Sequence, residues 1–313
     1  MKSRLQKDLA MTAMAIEHPH KTLFSHLSSL LADRFVIANF GSSNDRGHEL
    51  PAEIRQLITL IEIDANAGSQ IAEKHYGRII RVLKGIAAQS GVRNFYIARC
   101  AAASSLLPCD RELVAQYGME PFLETLETRQ VECVTVEDVL QQNNVGRLDF
   151  LKTDLEGIDF EVIKSCEPHF DEILAIQAEL RFQPFFKGEP HFHEVAGYLA
   201  EHGYELVGLN VERWKYNTPY RDRQRKGRAV WADAVFFKTP TRVMQDASEP
   251  SALAKQIILA AMLKHENYAE FLLDQYQALI PEPCAADLKA LIAVRASSRS
   301  EMLSADFPHA AIE

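Results

Sequence analysis

Asp154, Glu156 and Glu179 are the side chains of this sequence best suited to chemistry, with Lys152 close beside them. The first two lie in the run Leu148-Asp149-Phe150-Leu151-Lys152-Thr153-Asp154-Leu155-Glu156-Gly157, where an apolar strand gives way to a helix. Glu179 closes the next apolar run, Ile173–Glu179. Carboxylates at the carboxyl ends of parallel strands face the crevice in which open α/β sheets bind ligands. Three roles are open to them. Asp154 can serve as a general base or as an anchor for a ligand's ammonium group; the cluster can offer oxygens to Mg²⁺; and Glu156 can cap a helix beginning at Gly157. A metal-free site is the expectation, with Mg²⁺ as the lesser alternative. Lys152 alternates onto the face of Asp154, and a lysine inside a buried strand needs a partner, so it is expected to pair with one of these carboxylates.

A second group of residues has the spacing of a nucleoside site. The turn Ala38-Asn39-Phe40-Gly41-Ser42-Ser43-Asn44-Asp45 follows an apolar strand; it has one glycine, Gly41, and two small residues, Ser42 and Ser43, that let a ligand approach the backbone. Glu62 ends the next apolar run at roughly the 20-residue interval where a carboxylate meets ribose hydroxyls, and Ile63 follows it. The segment Arg99-Cys100-Ala101-Ala102-Ala103-Ser104-Ser105 is small enough at Ala101 and Ala102 for a flat base to lie against it. Two weaker features stand apart. His191 and His193 adjoin a helix start and read more readily as a cap and a surface residue than as a base or a metal pair. Arg221, Arg223, Arg225, Lys226 and Arg228 crowd one connection and read either as a solvated loop or as a cationic rim for a phosphorylated or nucleotide-linked ligand.

The elements that must position these residues alternate. Strands are expected at Phe35–Phe40, Leu57–Ile63, Asn94–Cys100, near Val131, at 148–153, Ile173–Glu179, Tyr204–Leu209 and Ala232–Lys238. Helices are expected over Ile71–Ala88, Glu137–Asn143, Ile158–Ser165 and Phe192–His202, with residues 101–130 irregular around Pro108 and Pro121. Such alternation means parallel strands with crossover helices, and the last two strands, with no helix between them, should be antiparallel. The expected fold is α/β: a seven-stranded, doubly wound, mostly parallel sheet ending in an antiparallel hairpin. Residues 1–31 read as an N-terminal helical cap, 32–240 as the α/β domain and 241–313 as a C-terminal helical extension, which could act as a lid, a brace or a homo-oligomer contact.

The chain of 313 residues, 47% hydrophobic, can bury a large core. A net charge of −9 opposes general nucleic-acid binding. Five scattered cysteines without a CxxC pair suit a reduced, cytoplasmic protein. No apolar run is long enough to span a bilayer, and the N-terminal segment, broken by Asp8 and Glu17, does not read as a secretory signal.

The segment from Val131 to Ser165, VECVTVEDVLQQNNVGRLDFLKTDLEGIDFEVIKS, resembles the central signature of the FkbM family of S-adenosylmethionine-dependent methyltransferases. The resemblance includes the acidic turn Val136-Glu137-Asp138 and the strand closing on Glu156-Gly157; more weakly, it extends over roughly residues 35 to 238. Glu62-Ile63-Asp64 is similar to the family's Glu-Pro-Asp, and Arg99–Ser105 to its small-residue segment at the adenine edge. The resemblance implies the methyltransferase variant of the sheet, S-adenosylmethionine as cofactor, and O-methylation of a hydroxyl on a small molecule or glycan. The chain departs from the family at Asn39, where Asp is usual, and lacks a second glycine near Asn44 or Asp45. Those departures keep open a non-catalytic binding or assembly module. A nicotinamide-dependent oxidoreductase has less support, because a pyrophosphate demands a three-glycine turn that is absent here.

Overall fold

The structure is a computed structural model that describes residues 25–31, 35–41, 50–65, 76–218, 226–246 and 250–306. These fall into two compact units, one within residues 35–45 and 58–248, the other within 1–34, 46–57 and 249–313. Ser42, Ser43, His18, His20, Arg221, Arg223 and Arg225 lie outside the described residues, as does most of the expected N-terminal cap.

The first unit is built on a seven-stranded sheet ordered β3-β2-β1-β7-β8-β10-β9. Its strands are β1 (Phe35–Phe40), β2 (Ile58–Ile63), β3 (Arg78–Val82), β7 (Phe150–Thr153), β8 (Ala175–Arg181), β9 (Tyr204–Trp214) and β10 (Arg228–Lys238). A three-stranded sheet joins β4 (Gly85–Ile86), β6 (Thr125–Val134) and β5 (Gly91–Ala98). In the large sheet the pairs from β3 to β8 are parallel, while β10 runs antiparallel to both β8 and β9. The strand order reverses between β1 and β7, which makes that junction the topological switch point of a doubly wound sheet. This is the expected fold, with its closing hairpin.

β1 is wholly buried, as a composition apolar at every position but Asn39 dictates for a central parallel strand. Val36, Ala38 and Phe40 point to a core shared with Ile61, Ile63, Leu151, Ile176 and Ala178. The helices Val136–Gln142, Asp159–Ser165 and Phe192–Glu201 close that face with Val139, Leu140, Val162, Ile163, Val195 and Leu199. The helix Val136–Gln142 begins at a capping box: Thr135 Oγ1 accepts from Asp138 N at 3.0 Å and Asp138 accepts from Thr135 N at 3.1 Å.

Several expected elements differ. The helix over Ile71–Ala88 is not formed in its described part: residues 78–82 and 85–86 are strands. Ile79, Ile80 and Val82 are β-branched, and β2 needs a parallel partner at its outer side, so pairing overrides the helical spacing. The strand near Asn94 does not join the main sheet; it is β5 of the small one. Residues 101–130, expected to be irregular, hold helices Arg111–Tyr117 and Glu120–Leu123 and the start of the ten-residue β6. β6 is exposed along most of its length, so no apolar alternation marked it.

In the second unit the helices Pro250–Met262, Glu266–Tyr276 and Glu282–Asp306 follow one another. The first is buried from Ser251 to Met262, its many apolar residues taking the polar Ser251, Lys255 and Gln256 inside with them. All five cysteines of the chain are free. No helix among the described residues is long and apolar enough to cross a membrane.

Candidate active site

Register alone sorts the polar residues into two rows. Arg81, Glu62, Asn39, Lys152 and Gln177 are successive partners across β3, β2, β1, β7 and β8, so they share one face of the sheet, opposite the core just described. Two residues further on, the same alternation brings Asp64, Gly41, Asp154 and Glu179 to the carboxyl edge. The ladder extends to that edge: Gly41 N donates to Ile63 O at 2.9 Å, Asp64 N to Val82 O at 3.2 Å and Asp154 N to Phe40 O at 3.0 Å.

The inner row is internal structure. Glu62 Oε2 accepts from Arg81 Nε at 2.8 Å. Asn39, 3% exposed, receives Lys152 Nζ at 3.4 Å. Lys152 is thus within reach of an amide oxygen, and it also lowers the pKa of Asp154 electrostatically, a pull that burial outweighs.

Asp64, Gly41 and Asp154 of the outer row line a cleft of about 270 Å³. One wall is the edge of the main sheet, at Gly41, Ile63, Asp64 and Asp154; the other is the small sheet and its following turn, at Gly85, Ile86, Phe95, Ala101, Ala102 and Ser105. Gly41 has φ 75°, and a Cβ there would lie 2.2 Å from Asp154 O, so no other residue fits this crossing. Among the expected cofactor residues, Gly41, Ile63, Ala101 and Ala102 line the cleft, whereas Glu62 and Asn39 sit one row beneath it.

At the far end of the cleft lies a half-buried carboxylate cluster. Asp154, Glu156 and Glu179 each offer an oxygen within 4.8 Å of the others. Arg181, 5% exposed, sits among them: its Nη2 contacts Glu156 and, at 2.9 Å, Glu179, while its Nε meets Glu189 at 3.2 Å. Its guanidinium also lies 5.2 Å from the Trp231 ring centroid. Burial pushes Glu156 up to about 7 and Glu179 up to about 9, with Arg181 pulling both back. Asp154 is raised by burial as well. Such spacing suits a divalent cation in principle, but the guanidinium seated on Glu156 and Glu179 already supplies positive charge there.

The loop between strand and helix is held from within. The helix starts at Asp159, not at Gly157, and Glu156 is not its cap. Asp159, raised by burial to about 6, accepts from Leu155 N at 3.2 Å and Gly157 N at 3.4 Å. Glu156 itself adopts φ 51°, a left-handed backbone rare for a residue with a side chain. Ser105 Oγ donates to its carbonyl oxygen at 2.6 Å.

Asp64 and Ser105 line the cleft, and Asp159, Arg181 and Glu189 adjoin its carboxylate cluster; sequence reading singled out none of them. Arg181 was within its reach, since alternation places it on the face of Gln177 and Glu179. Asp64 follows the same rule from Glu62. Ser105 joins the site through a chain reversal that no local pattern announces. The histidines lie apart: His191 and His193 are exposed and stack on each other with centroids 5.5 Å apart, and His191 N donates to Glu194 at 2.7 Å. Of the basic run, Arg228 Nη1 donates to Tyr216 Oη at 2.5 Å.

Residues 61–206 match the family model described as the methyltransferase FkbM domain. No curated protein matches the sequence. A solved structure of Streptococcus pneumoniae Sp1610, a provisionally assigned tRNA (m1A22) methyltransferase, aligns with 89% of this chain and 98% of its own at 11% identity. Its TM-score of 0.27 leaves that likeness without weight for fold or site.

Proposed function

We propose, from the membership of residues 61–206 in the methyltransferase FkbM domain family, that the chain is an S-adenosylmethionine-dependent O-methyltransferase for a hydroxyl on a small molecule or glycan. The observation that carries this reading is the cleft at the switch point, with a carboxylate at its donor side and a carboxylate cluster at its other end. When bound, the cofactor supplies an electrophilic methyl on a sulfonium.

The residues present fit that ligand. Asp64, at the tip of β2, is the carboxylate in place to accept ribose hydroxyl hydrogen bonds, in preference to Glu62, which is occupied by Arg81. Ile63, Ile86, Phe95 and Leu106 offer apolar faces to a purine, and Ala101 and Ala102 leave room at its edge. Gly41 makes room for the Asp154 backbone at the cleft edge, and Asp154 brings the negative charge that an ammonium group requires.

Transfer forms an O–CH₃ bond as the C–S bond breaks, and the hydroxyl proton must pass to a base. Glu156 and Asp154 are the carboxylates lining the cleft that can take it. A base that titrates near neutrality, as Glu156 does at about 7, is matched to that task. Holding the hydroxyl oxygen in line with the methyl, about 3 Å away, accounts for much of the remaining acceleration. The excess of acidic side chains keeps nucleic acid an unfavoured acceptor.

Calorimetric titration of the full chain with S-adenosylmethionine, S-adenosylhomocysteine and NAD tests the reading. Micromolar binding of the first two, without NAD, is expected. Silence with all three would replace it with the non-catalytic module.

A further inference from the structure

We infer that Ser105 and Arg181 are positioning residues that together hold Glu156 as the proton acceptor of the transfer site, an inference that rests on the function proposed above. Two restraints from different parts of the fold converge on this one residue. Ser105 follows β5 and is anchored there, its N donating to Tyr96 O at 3.1 Å and its O accepting from Tyr96 N at 2.8 Å. Its hydroxyl, 1% exposed, accepts from Leu107 N at 2.9 Å and donates to Glu156 O at 2.6 Å. Arg181 comes from β8 and takes the other end of Glu156, its carboxylate.

These restraints explain the backbone. A glutamate at φ 51° is less stable than the same residue at negative φ, so the surroundings must hold it there. Asp159 accepts from the amides of Leu155 and Gly157, and the Gly157 amide shares one planar peptide with the Glu156 carbonyl, so Asp159 and Ser105 grip that peptide from its two sides. Without the Ser105 hydroxyl the peptide keeps only the longer, 3.4 Å bond to Asp159, and rotation toward negative φ would swing the carboxylate away from the cleft. Without the guanidinium, the carboxylate would remain in place but lose the charge that keeps it ionisable among Asp154, Asp159 and Glu179.

Asp154 is held differently. Its backbone oxygen lies against Gly41, and its amide is fixed by the sheet ladder, so it stands at the donor end whatever happens at Ser105. The two carboxylates are thereby assigned separate tasks: Asp154 to the cofactor side, Glu156 to the hydroxyl proton.

The experiment compares the full chain with Ser105→Ala, Ser105→Thr and Arg181→Lys, and adds Ser105→Ala in a Glu156→Gln background. Affinity for S-adenosylhomocysteine is measured by calorimetry, the Glu156 carboxyl is followed by carbon-13 NMR through a pH titration, and kcat is recorded against pH with an accepted hydroxyl substrate. Ser105→Ala is expected to displace the Glu156 titration and lower kcat about tenfold or more. Ser105→Thr, which retains the hydroxyl, should recover both. Arg181→Lys, which keeps the positive charge but loses the guanidinium hydrogen bond to the Glu156 carboxylate, should move the Glu156 titration, and with it the acidic limb of the rate profile, to higher pH. An unchanged Glu156 titration in Ser105→Ala would overturn the inference, as would an equal loss of rate in the Glu156→Gln background. Failure of the wild type to bind S-adenosylhomocysteine would instead sink the functional reading, and the NMR titration would still decide whether Ser105 and Arg181 hold Glu156.

Discussion

Burial raises Glu179 to about 9 and Glu156 to about 7, against an ordinary unfolded value near 4.3 for glutamate. Between the unfolded and folded values the native state therefore holds more protons than the unfolded chain, so stability falls as pH rises through that window. Below the unfolded value both states are protonated and the effect vanishes. Thermal unfolding of the chain without ligand should thus show a midpoint that declines from about pH 5 to about pH 9. Glu179→Gln, which removes the group with the largest rise, should flatten the decline. A midpoint that climbs over this range, or is indifferent to Glu179→Gln, would contradict the assignment of a half-buried, reluctantly ionised cluster. At this scale the sequence disclosed Asp154, Glu156, Glu179 and Lys152, because strand alternation fixes which side chains share a face. It did not disclose that Arg181 binds Glu156, Glu179 and Glu189 at once, since that depends on where Glu189 returns after the loop from Phe182 to Gly188.

The crossing of β1 and β7 shows how an element's end becomes a site. At Gly41 the chain leaves β1 at φ 75°, tight against the Asp154 carbonyl that continues β7. Gly41→Ala would put a methyl 2.2 Å from that oxygen in a backbone conformation L-residues avoid. It should destabilise the unit by about 1–3 kcal/mol or more and abolish S-adenosylhomocysteine binding. Differential scanning calorimetry and a ligand titration would check both, and wild-type values in the variant would remove Gly41 from the account. The apolar runs at β1, β2, β7 and β8 were legible because central parallel strands are buried on both faces. β3 and β6 were not. β3 carries its isoleucines at a spacing that also suits a helix, and β6 is mostly exposed, so neither has the one-sided pattern that identifies a strand without its partner.

Across the whole chain, alternation and the closing hairpin disclosed the doubly wound class, but not that β3 would edge the main sheet and the strand near Asn94 the small one; the strand order places the switch point between β1 and β7. The ligand cleft lies at the same point, as the general rule for open α/β sheets requires. Of the second wall, sequence supplied Ala101 and Ala102 but not the sheet that carries them. The small sheet brings Ile86, Phe95, Ala101 and Ser105 to the cleft through a pairing of residues 91–98 with 125–134 that joins distant segments. The central claim is that Gly41, Asp64 and Asp154 surround one bound sulfonium nucleoside. A crystal structure of the full chain grown with S-adenosylhomocysteine tests it most directly. The account predicts the nucleoside in this cleft, with its ribose hydroxyls on Asp64 and its amino-acid end toward Asp154. A ligand bound elsewhere, or bound here with its ribose on Glu62 and Asp64 untouched, would contradict it.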